Sequence, residues 1–225
     1  MIKMVVFDMA GTTINENNVV YKTLRRAINE IGYDFSLNEV LAEGAGKEKL
    51  QAIKDILRLR TVERNDEFAE DVYRNFMVLL ASAYQTLEIT AQPGAEVLFE
   101  KLRQKGILVV LNTGYDFKTA QTIMKKVGWE EGNPVDAMVT ATQVQHNRPM
   151  PDMIHYAMNR FGLTVAQVVA KVGDSRVDIE EGKNAGCGLT IGITTGAQTR
   201  EQIQETNPDY IIDNLLELFP LLDGR

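Results

Sequence analysis

The 225-residue sequence has little of what a secreted, membrane-spanning or nucleic-acid-binding protein needs. Its one cysteine, Cys187, excludes an intrachain disulfide and fits a reducing compartment. No apolar run is long enough to span a bilayer, and Asp8 ends the short apolar run at the N-terminus before a signal-peptide pattern develops. The net charge of −7 argues against a nucleic acid or an anionic membrane as partner, because either would need a basic face. We therefore expect a cytoplasmic protein.

What the sequence does contain is a regular alternation of short apolar runs with helical patterns. The runs are rich in β-branched residues and do not alternate with polar ones, as expected for a parallel sheet covered on both faces. This order predicts an α/β fold with an open, doubly wound parallel sheet. The predicted strands are residues 4–7, 107–111, 137–139, 168–172, 189–193 and 210–212, and the predicted helices between them are 95–105, 117–127, 151–161, 177–185 and 199–205.

One spacing breaks this alternation. From Asp8 to the second strand the chain runs for about a hundred residues, whereas a simple crossover needs roughly thirty. The excess is helical in pattern over 19–31, 36–43, 47–60 and 63–87, with a capping-box sequence at Ser36 and Glu39. We predict a helical cap domain at 16–89, with linkers near 15–18 and 88–93, and an α/β core made of 1–15 and 90–225. An insertion here places the cap over the carboxyl ends of the strands, where such sheets bind ligands.

Polar residues follow the first two predicted strands. Asp8 is followed closely by Gly11 and Thr12, whose N–H and hydroxyl groups suit a phosphate. Taken alone, this pattern is explained equally well by a capped turn. Thr113 and Gly114 follow the second strand and could bind a phosphoryl oxygen in the same way, although an ordinary strand-to-helix turn is the simpler interpretation.

Two further segments follow later strands. Arg148 lies in a proline-rich segment that would hold it extended, and it could neutralise a phosphate beside a carboxylate; by itself it reads as a surface arginine. Asp174 follows the fourth strand and could share a hard cation with Asp8, while Asp178 could support that site or simply cap a helix. Because all four segments follow strands, they should meet at one edge of the sheet around one phosphoryl group.

This set resembles the four motifs of the haloacid dehalogenase superfamily, and the resemblance covers essentially the whole chain. It implies a Rossmann-like core with an inserted cap, and phosphoryl transfer in which Asp8 attacks phosphorus and forms an aspartyl-phosphate. Mg²⁺ would be held by Asp8, the Ala10 carbonyl and Asp174, and phosphoryl oxygens by Thr113 and Arg148. Two positions depart from the common phosphatase pattern. Ala10 stands where most members have a second aspartate that acts as acid and base, and Arg148 stands where most have lysine.

With these two residues the sequence resembles the phosphonoacetaldehyde hydrolase (phosphonatase) branch of the superfamily. In that branch a cap lysine forms a Schiff base with the substrate aldehyde. Lys49 falls at the position of that lysine, although Ala45 and Ala52 replace a methionine and a histidine of the branch. Lys47 and Lys49 would point in different directions on a helix, so only one can face the site. The resemblance favours Lys49, whereas a helix that begins after Lys47 would leave Lys47 in a loop and free to reach the phosphate.

The chemistry of the residues agrees with this branch. Splitting a phosphate ester at neutral pH usually needs an acid for the departing oxygen, and Ala10 cannot supply one. Splitting a carbon–phosphorus bond needs an electron sink on carbon, which a lysine imine provides. We therefore expect a Mg²⁺-dependent hydrolase of a small anionic phosphonate such as phosphonoacetaldehyde, without a nucleic-acid or membrane partner, as a monomer or homodimer. The alternatives are a phosphatase or phosphomutase acting on a small sugar phosphate, similar to β-phosphoglucomutase, and a non-catalytic phosphate-binding protein of the same fold.

Overall fold

A computed structural model describes residues 1–60 and 66–222 of the chain, so the start of the helical pattern predicted over 63–87 lies outside the described residues. In these two ranges, no helix combines the length and apolar character that crossing a membrane requires. The strands there are β1 (Met4–Asp8), β2 (Ile14–Asn15), β3 (Thr90–Ala91), β4 (Leu108–Thr113), β5 (Glu130–Glu131), β6 (Pro134–Val135), β7 (Ala137–Thr140), β8 (Val169–Gly173), β9 (Leu189–Ile193) and β10 (Tyr210–Ile212). The α-helices are α1 (Val19–Asn29), α2 (Leu37–Gly44), α3 (Lys49–Arg58), α4 (Asp66–Thr86), α5 (Ala95–Gln104), α6 (Phe117–Lys126), α7 (Asp152–Arg160), α8 (Arg176–Asn184), α9 (Arg200–Gln204) and α10 (Leu218–Leu222).

Six strands form one parallel sheet in the order β10-β9-β8-β1-β4-β7. Alternate residues of β1 turn to opposite faces, so that Val5 and Phe7 lie in one apolar core and Met4 and Val6 in the other. Both faces are therefore covered, which explains why the strands read as continuous apolar runs. The predicted α/β fold with a doubly wound parallel sheet is confirmed. The six predicted sheet strands and the five predicted helices between them agree with the observed ones to within two residues at each end.

The four helices described between β2 and β3, in residues 16–60 and 66–89, pack on one another, α1 against α2 and α4, and α3 against α2 and α4. Helix α2 begins with the predicted capping box of Ser36 and Glu39. Helix α3 begins at Lys49. The periodicity favours a start two residues earlier, and that predicted start was wrong. The reason is Glu48, whose carboxylate accepts hydrogen bonds from two N–H groups of the first turn and caps the helix there. Lys47 is left in the preceding loop, as the alternative start requires.

The chain enters and leaves these helices through β2 and β3, which pair antiparallel with Ile14 opposite Ala91. This pairing falls within the two predicted linkers and brings them together beside the sheet. Assigning residues 16–89 to a separate cap domain stays a prediction.

Two glycines allow the inserted helices to approach the core. A Cβ atom on Gly114, which follows β4, would lie 2.5 Å from the carbonyl oxygen of Lys47. A Cβ atom on Gly46 would collide with the side chains of Ser175 and Val177 at the start of α8. The loop before α3 therefore lies directly on the carboxyl ends of the strands, where the predicted site residues are.

Candidate active site

The carboxyl ends of three adjacent strands bring the predicted nucleophile, hydroxyl group and second carboxylate together. Asp8 is the last residue of β1 and pairs in register with Asn112 of β4. Thr113 ends β4, and Asp174 follows the last residue of β8. All of these side chains are buried. Parallel strands end at one edge of their sheet, so residues that are far apart in sequence become neighbours here.

Arg148 reaches this edge from the loop before α7. Its Nη1 lies 2.6 Å from Oδ1 of Asp8 and 2.9 Å from Oδ1 of Asp178. Its Nε donates to Oε2 of Glu181 at 3.0 Å, and its Nη2 donates to both oxygens of Asn112 at 2.8 and 2.6 Å. These partners surround the planar guanidinium and fix its orientation, with one edge against the predicted nucleophile.

A second buried cation lies beneath the first. Lys171 points from the middle of β8 to Asp178 and Glu181, with Nζ 2.9 and 3.2 Å from their carboxylate oxygens, and it donates to Oδ1 of Asn112 at 2.7 Å. Together with Arg148, Lys171 belongs to a buried cluster of four carboxylates and two cations, whose formal charge is −2. Its members are Asp8, Asp174, Asp178, Glu181, Arg148 and Lys171. One divalent cation would neutralise the formal charge of this cluster.

The three aspartates respond differently to this environment. Burial raises the pKa of Asp8, although the charge of Arg148 opposes the effect. The pKa of Asp174 is raised well above its ordinary value, first by burial and then by the negative charge of Asp8. Burial acts in the same direction on Asp178, but the charges of Arg148 and Lys171 outweigh it and lower the pKa. Desolvated carboxylates that repel each other are stabilised by binding either protons or a metal cation.

The same three aspartates form a candidate metal site. Asp8, Asp174 and Asp178 each place a carboxylate oxygen within 4.8 Å of the others. The carboxylate of Asp174 is held on both sides, by the hydroxyl of Thr12 at 3.2 Å and the N–H of Ala197 at 2.6 Å. Oxygen ligands of this kind suit a hard divalent cation better than zinc or copper. The residues present therefore fit such an ion.

Two N–H groups that were predicted to bind phosphate are hydrogen-bonded within the turn after β1. Gly11 donates to the carbonyl of Ile14 at 2.8 Å, and Thr12 donates to the carbonyl of Met9 at 3.3 Å. The φ angle of 90° at Gly11 is one that glycine adopts without strain. These two N–H groups are therefore hydrogen-bonded within the turn, whereas Ala10 lines the cavity beside Asp8.

A cavity of about 10 Å³ lies between the inserted helices and the strand ends. Its lining residues are Asp8, Ala10, Tyr21, Gly46, Lys49, Thr113, Gly114, Tyr115 and Arg148. This volume is at the lower limit for a single water molecule. A phosphoryl compound is too large for this volume.

Lys49 is the lysine that the inserted helices bring to this cavity. Its side chain is buried, its Nζ donates to the carbonyl of Lys47 at 2.7 Å, and it lies 5.4 and 5.3 Å from the ring centroids of Tyr21 and Tyr115. Burial lowers the pKa of Lys49, although the charge of Asp8 acts in the opposite direction. A lowered pKa increases the fraction of neutral amine, which is the nucleophilic form.

Lys47 does not line the cavity. Its Nζ lies 2.7 Å from Oε1 of Glu43 and 2.8 Å from Oδ2 of Asp55. Burial acts to lower the pKa of Lys47, but hydrogen bonds to Asp55 and Glu43 outweigh it and raise the pKa. Lys47 does lie in a loop, as one alternative required, yet its ammonium group is held by two carboxylates.

Several site residues were not identified from the sequence. Lys171 interrupts the apolar run of β8, and a lone charge inside a buried strand is a usable signal, because such a charge must be paired. Glu181 lies three residues after Asp178, on the same face of α8. Glu16 lies in the predicted linker, and no local pattern indicated that its side chain is only 2% exposed and bonded to Tyr115.

Comparison with known proteins gives the family. The sequence profile of the haloacid dehalogenase-like hydrolases matches residues 5–206, and the chain belongs to this family of hydrolases. It is 27% identical to a phosphonoacetaldehyde hydrolase of Latilactobacillus sakei, over 98% of this chain and 95% of that protein. It is 24% identical to a phosphoglycolate phosphatase of Pasteurella multocida, over 98% of each.

A solved structure agrees in fold. The crystal structure of a phosphonoacetaldehyde hydrolase-like protein from Oleispira antarctica matches this chain with a TM-score of 0.84 at 22% identity, covering 99% of this chain and 91% of that one. The relatives carry the names of two kinds of hydrolase. The comparisons therefore define the family, and the choice of substrate depends on the site.

Proposed function

We propose that this hydrolase cleaves the carbon–phosphorus bond of a small 2-oxoalkylphosphonate, such as phosphonoacetaldehyde, with Asp8 as nucleophile and Lys49 as the imine-forming amine. The observation that carries the proposal is that both side chains line one small cavity, where Ala10 provides no acid for a departing oxygen. A carboxylate that attacks phosphorus and an amine that attacks a carbonyl group suit a substrate that has both groups. The 27% identity to a phosphonoacetaldehyde hydrolase supports the same choice.

The phosphonate group would bind between Asp8, Thr113 and Arg148. The guanidinium of Arg148 holds Oδ1 of Asp8 and orients the carboxylate toward phosphorus. The hydroxyl of Thr113 accepts a hydrogen bond from the N–H of Tyr115 at 3.2 Å and directs its own hydrogen to a phosphoryl oxygen. Donors that are fixed before the reaction stabilise the charge that develops on the transferring group.

Asp8, the carbonyl of Ala10 and Asp174 would hold Mg²⁺, with Asp178 supporting the site. Bound there, the cation would supply positive charge to the phosphoryl oxygens. The three clustered aspartates and the formal charge of −2 support a hard divalent cation at this position.

The reaction would proceed in four steps. The neutral amine of Lys49 attacks the carbonyl carbon, and uptake of one proton from solvent with loss of water gives a protonated imine. Asp8 then attacks phosphorus, the carbon–phosphorus electron pair moves to carbon, and the imine becomes a neutral enamine. A proton from water converts the enamine back to an imine, which water hydrolyses to release the aldehyde or ketone and the lysine. A further water molecule hydrolyses the aspartyl-phosphate to phosphate and free Asp8.

The proposal assigns residues 16–89 to a cap that opens for substrate and closes over the core of 1–15 and 90–225. The small volume of the cavity supports this movement. Closure would exclude bulk water while the imine and the aspartyl-phosphate exist.

The test measures phosphate released from phosphonoacetaldehyde, phosphoglycolate and a sugar phosphate, with Mg²⁺ present. We expect release from the phosphonate, with a loss of at least about 10³-fold in Lys49→Arg, because a guanidinium is always charged and cannot form the imine. Lys47→Arg is the matched control and should stay active. Ordinary turnover of the phosphate esters by both variants would instead indicate a phosphatase or phosphomutase. Binding of phosphate without turnover of any compound would indicate a non-catalytic protein.

A further inference from the structure

Glu16 is a buried carboxyl group close to the active-site cavity that the proposed reaction has not used. It lies between β2 and α1 and is 2% exposed. Its Oε2 accepts hydrogen bonds from the hydroxyl of Tyr84 at 2.8 Å, the N–H of Val20 at 3.3 Å and the hydroxyl of Tyr115 at 3.4 Å. Within residues 1–60 and 66–222, these donors are neutral and no cation forms an ion pair with it. A buried carboxylate without a cationic partner is costly to keep ionised.

The side chain of Tyr115 connects this carboxyl group to the cavity. Its hydroxyl bonds to Glu16 and lies 2.8 Å from the hydroxyl of Tyr84. The face of the same ring lies 5.3 Å from Nζ of Lys49, which the ring of Tyr21 covers at 5.4 Å. Tyr115 thus contacts both groups, which are themselves buried, and buried charges are weakly screened.

Burial moves the pKa values of Glu16 and Lys49 toward each other. Burial raises the pKa of Glu16 to about 7, even though its hydrogen bonds and the charge of Lys49 oppose the change. Burial lowers the pKa of Lys49, and the charge of Glu16 opposes that change.

We propose that Glu16 is a positioning residue that controls the charge of Lys49, its carboxylate acting on the amine from the other end of the Tyr115 side chain. In one form of the pair Lys49 is an ammonium and Glu16 a carboxylate. In the other Glu16 has taken up a proton from solvent and no longer attracts the ammonium group, so the neutral amine of Lys49 becomes more populated. The inference rests on the proposed function in that this amine then attacks a carbonyl group.

The other titratable groups around the pair do not replace Glu16 in this role. Tyr21 on α1, Tyr84 on α4 and Tyr115 after β4 face it, and burial raises the pKa of each well above its ordinary value, so the hydroxyls stay neutral. Lys49 is also influenced by Asp8 and Glu48, which favour the ammonium form, and by Arg148, which disfavours it. These three groups are unchanged in a variant of Glu16, which isolates the contribution of its charge.

The test measures the protonation midpoint of Lys49 directly. Brief labelling with acetic anhydride over a range of pH, read by peptide mass spectrometry, gives the reactivity of Lys49 relative to the exposed Lys118 of α6. We expect Glu16→Gln to lower the midpoint by about one pH unit, because the carboxylate that favours the ammonium form is gone. Glu16→Asp keeps the charge and should restore most of the wild-type value. Glu70→Gln removes an exposed charge of α4 and should leave the midpoint unchanged.

An unchanged or raised midpoint in folded Glu16→Gln would overturn the proposal. If that variant does not fold, Tyr84→Phe decides, because loss of this hydroxyl favours protonated Glu16 and must shift the Lys49 midpoint in the same direction, by less. No shift in Tyr84→Phe would also overturn the proposal. The labelling uses no substrate, so its outcome is separate from phosphonate turnover, whose absence would overturn the proposed function alone.

Discussion

Replacing Arg148 with lysine keeps the charge of the side chain and removes its planar fork. The guanidinium reaches Asp8, Asp178, Glu181 and both oxygens of Asn112 at once. An ammonium group has three hydrogens on one atom and cannot reach acceptors spread over this width. Acceptors on Asn112 and Glu181 would then lose a donor inside a region that water does not reach.

The size of the effect follows from those acceptors. A buried polar group that loses its partner costs about 1–3 kcal/mol, and Glu181 keeps Lys171 and the amide of Asn112 as partners. We therefore expect Arg148→Lys to lower the free energy of unfolding by about 2–4 kcal/mol. Loss of a fixed donor to the phosphoryl group should also lower kcat/KM by about 100-fold.

Urea denaturation and steady-state kinetics measure the two effects. The matched control is Arg160→Lys, the same substitution in a partly exposed pair with Glu131, which should change the free energy of unfolding by less than about 1 kcal/mol. An Arg148→Lys variant with the stability and kinetics of the wild type would refute the assignment of Arg148 to the phosphoryl site.

Four further predictions follow from the site. Asp8→Asn should abolish turnover with an unchanged circular dichroism spectrum, because the amide is a poor nucleophile of similar shape; more than a few per cent of residual activity would mean that another residue attacks. EDTA should remove activity and Mg²⁺ restore it, so full turnover in metal-free buffer would contradict the metal site. Folding raises the pKa of Glu16 from 4.5 to about 7, so its protonated form contributes stability that is complete below about pH 4.5 and is lost as the pH rises through about 7. Between these limits the wild type should lose about 3 kcal/mol of unfolding free energy relative to Glu16→Gln, and parallel pH profiles of the two proteins would contradict the burial of that charge. Gly114→Ala would place a Cβ atom 2.5 Å from the carbonyl oxygen of Lys47, so it should lower kcat/KM by impeding closure, and unchanged kinetics would show that the loop does not seat there during turnover.

The sheet and the place of Asp8 could be predicted because they follow from local patterns and from a topological rule. Buried parallel strands read as continuous apolar runs, and their carboxyl ends lie at one edge. The positions of Asp8, Thr113 and Asp174 needed only the ends of three strands. The start of α3 was harder, because the carboxylate of Glu48 caps the helix and overrides a periodicity that extends to Lys47.

The choice between the two lysines depends on partners that sequence spacing does not reveal. Lys47 is held by Glu43 of α2 and Asp55 of α3, which meet only when those helices pack. For the same reason the segment around Arg148, taken alone, suggests a surface arginine, since Glu181 lies 33 positions away in the chain. Burial of a charge is a tertiary property, and the residues that stabilise it are distant in sequence.

The most direct test of the central claim, that Lys49 forms an imine beside Asp8, is borohydride reduction during incubation with a 2-oxoalkylphosphonate and Mg²⁺. Reduction converts a protein-bound imine to a stable secondary amine, which peptide mass spectrometry locates. The proposed mechanism predicts that the carbon skeleton of the substrate is attached to Lys49 and that Lys47 stays unmodified. Absence of label from every lysine, together with full activity of Lys49→Ala, would contradict it.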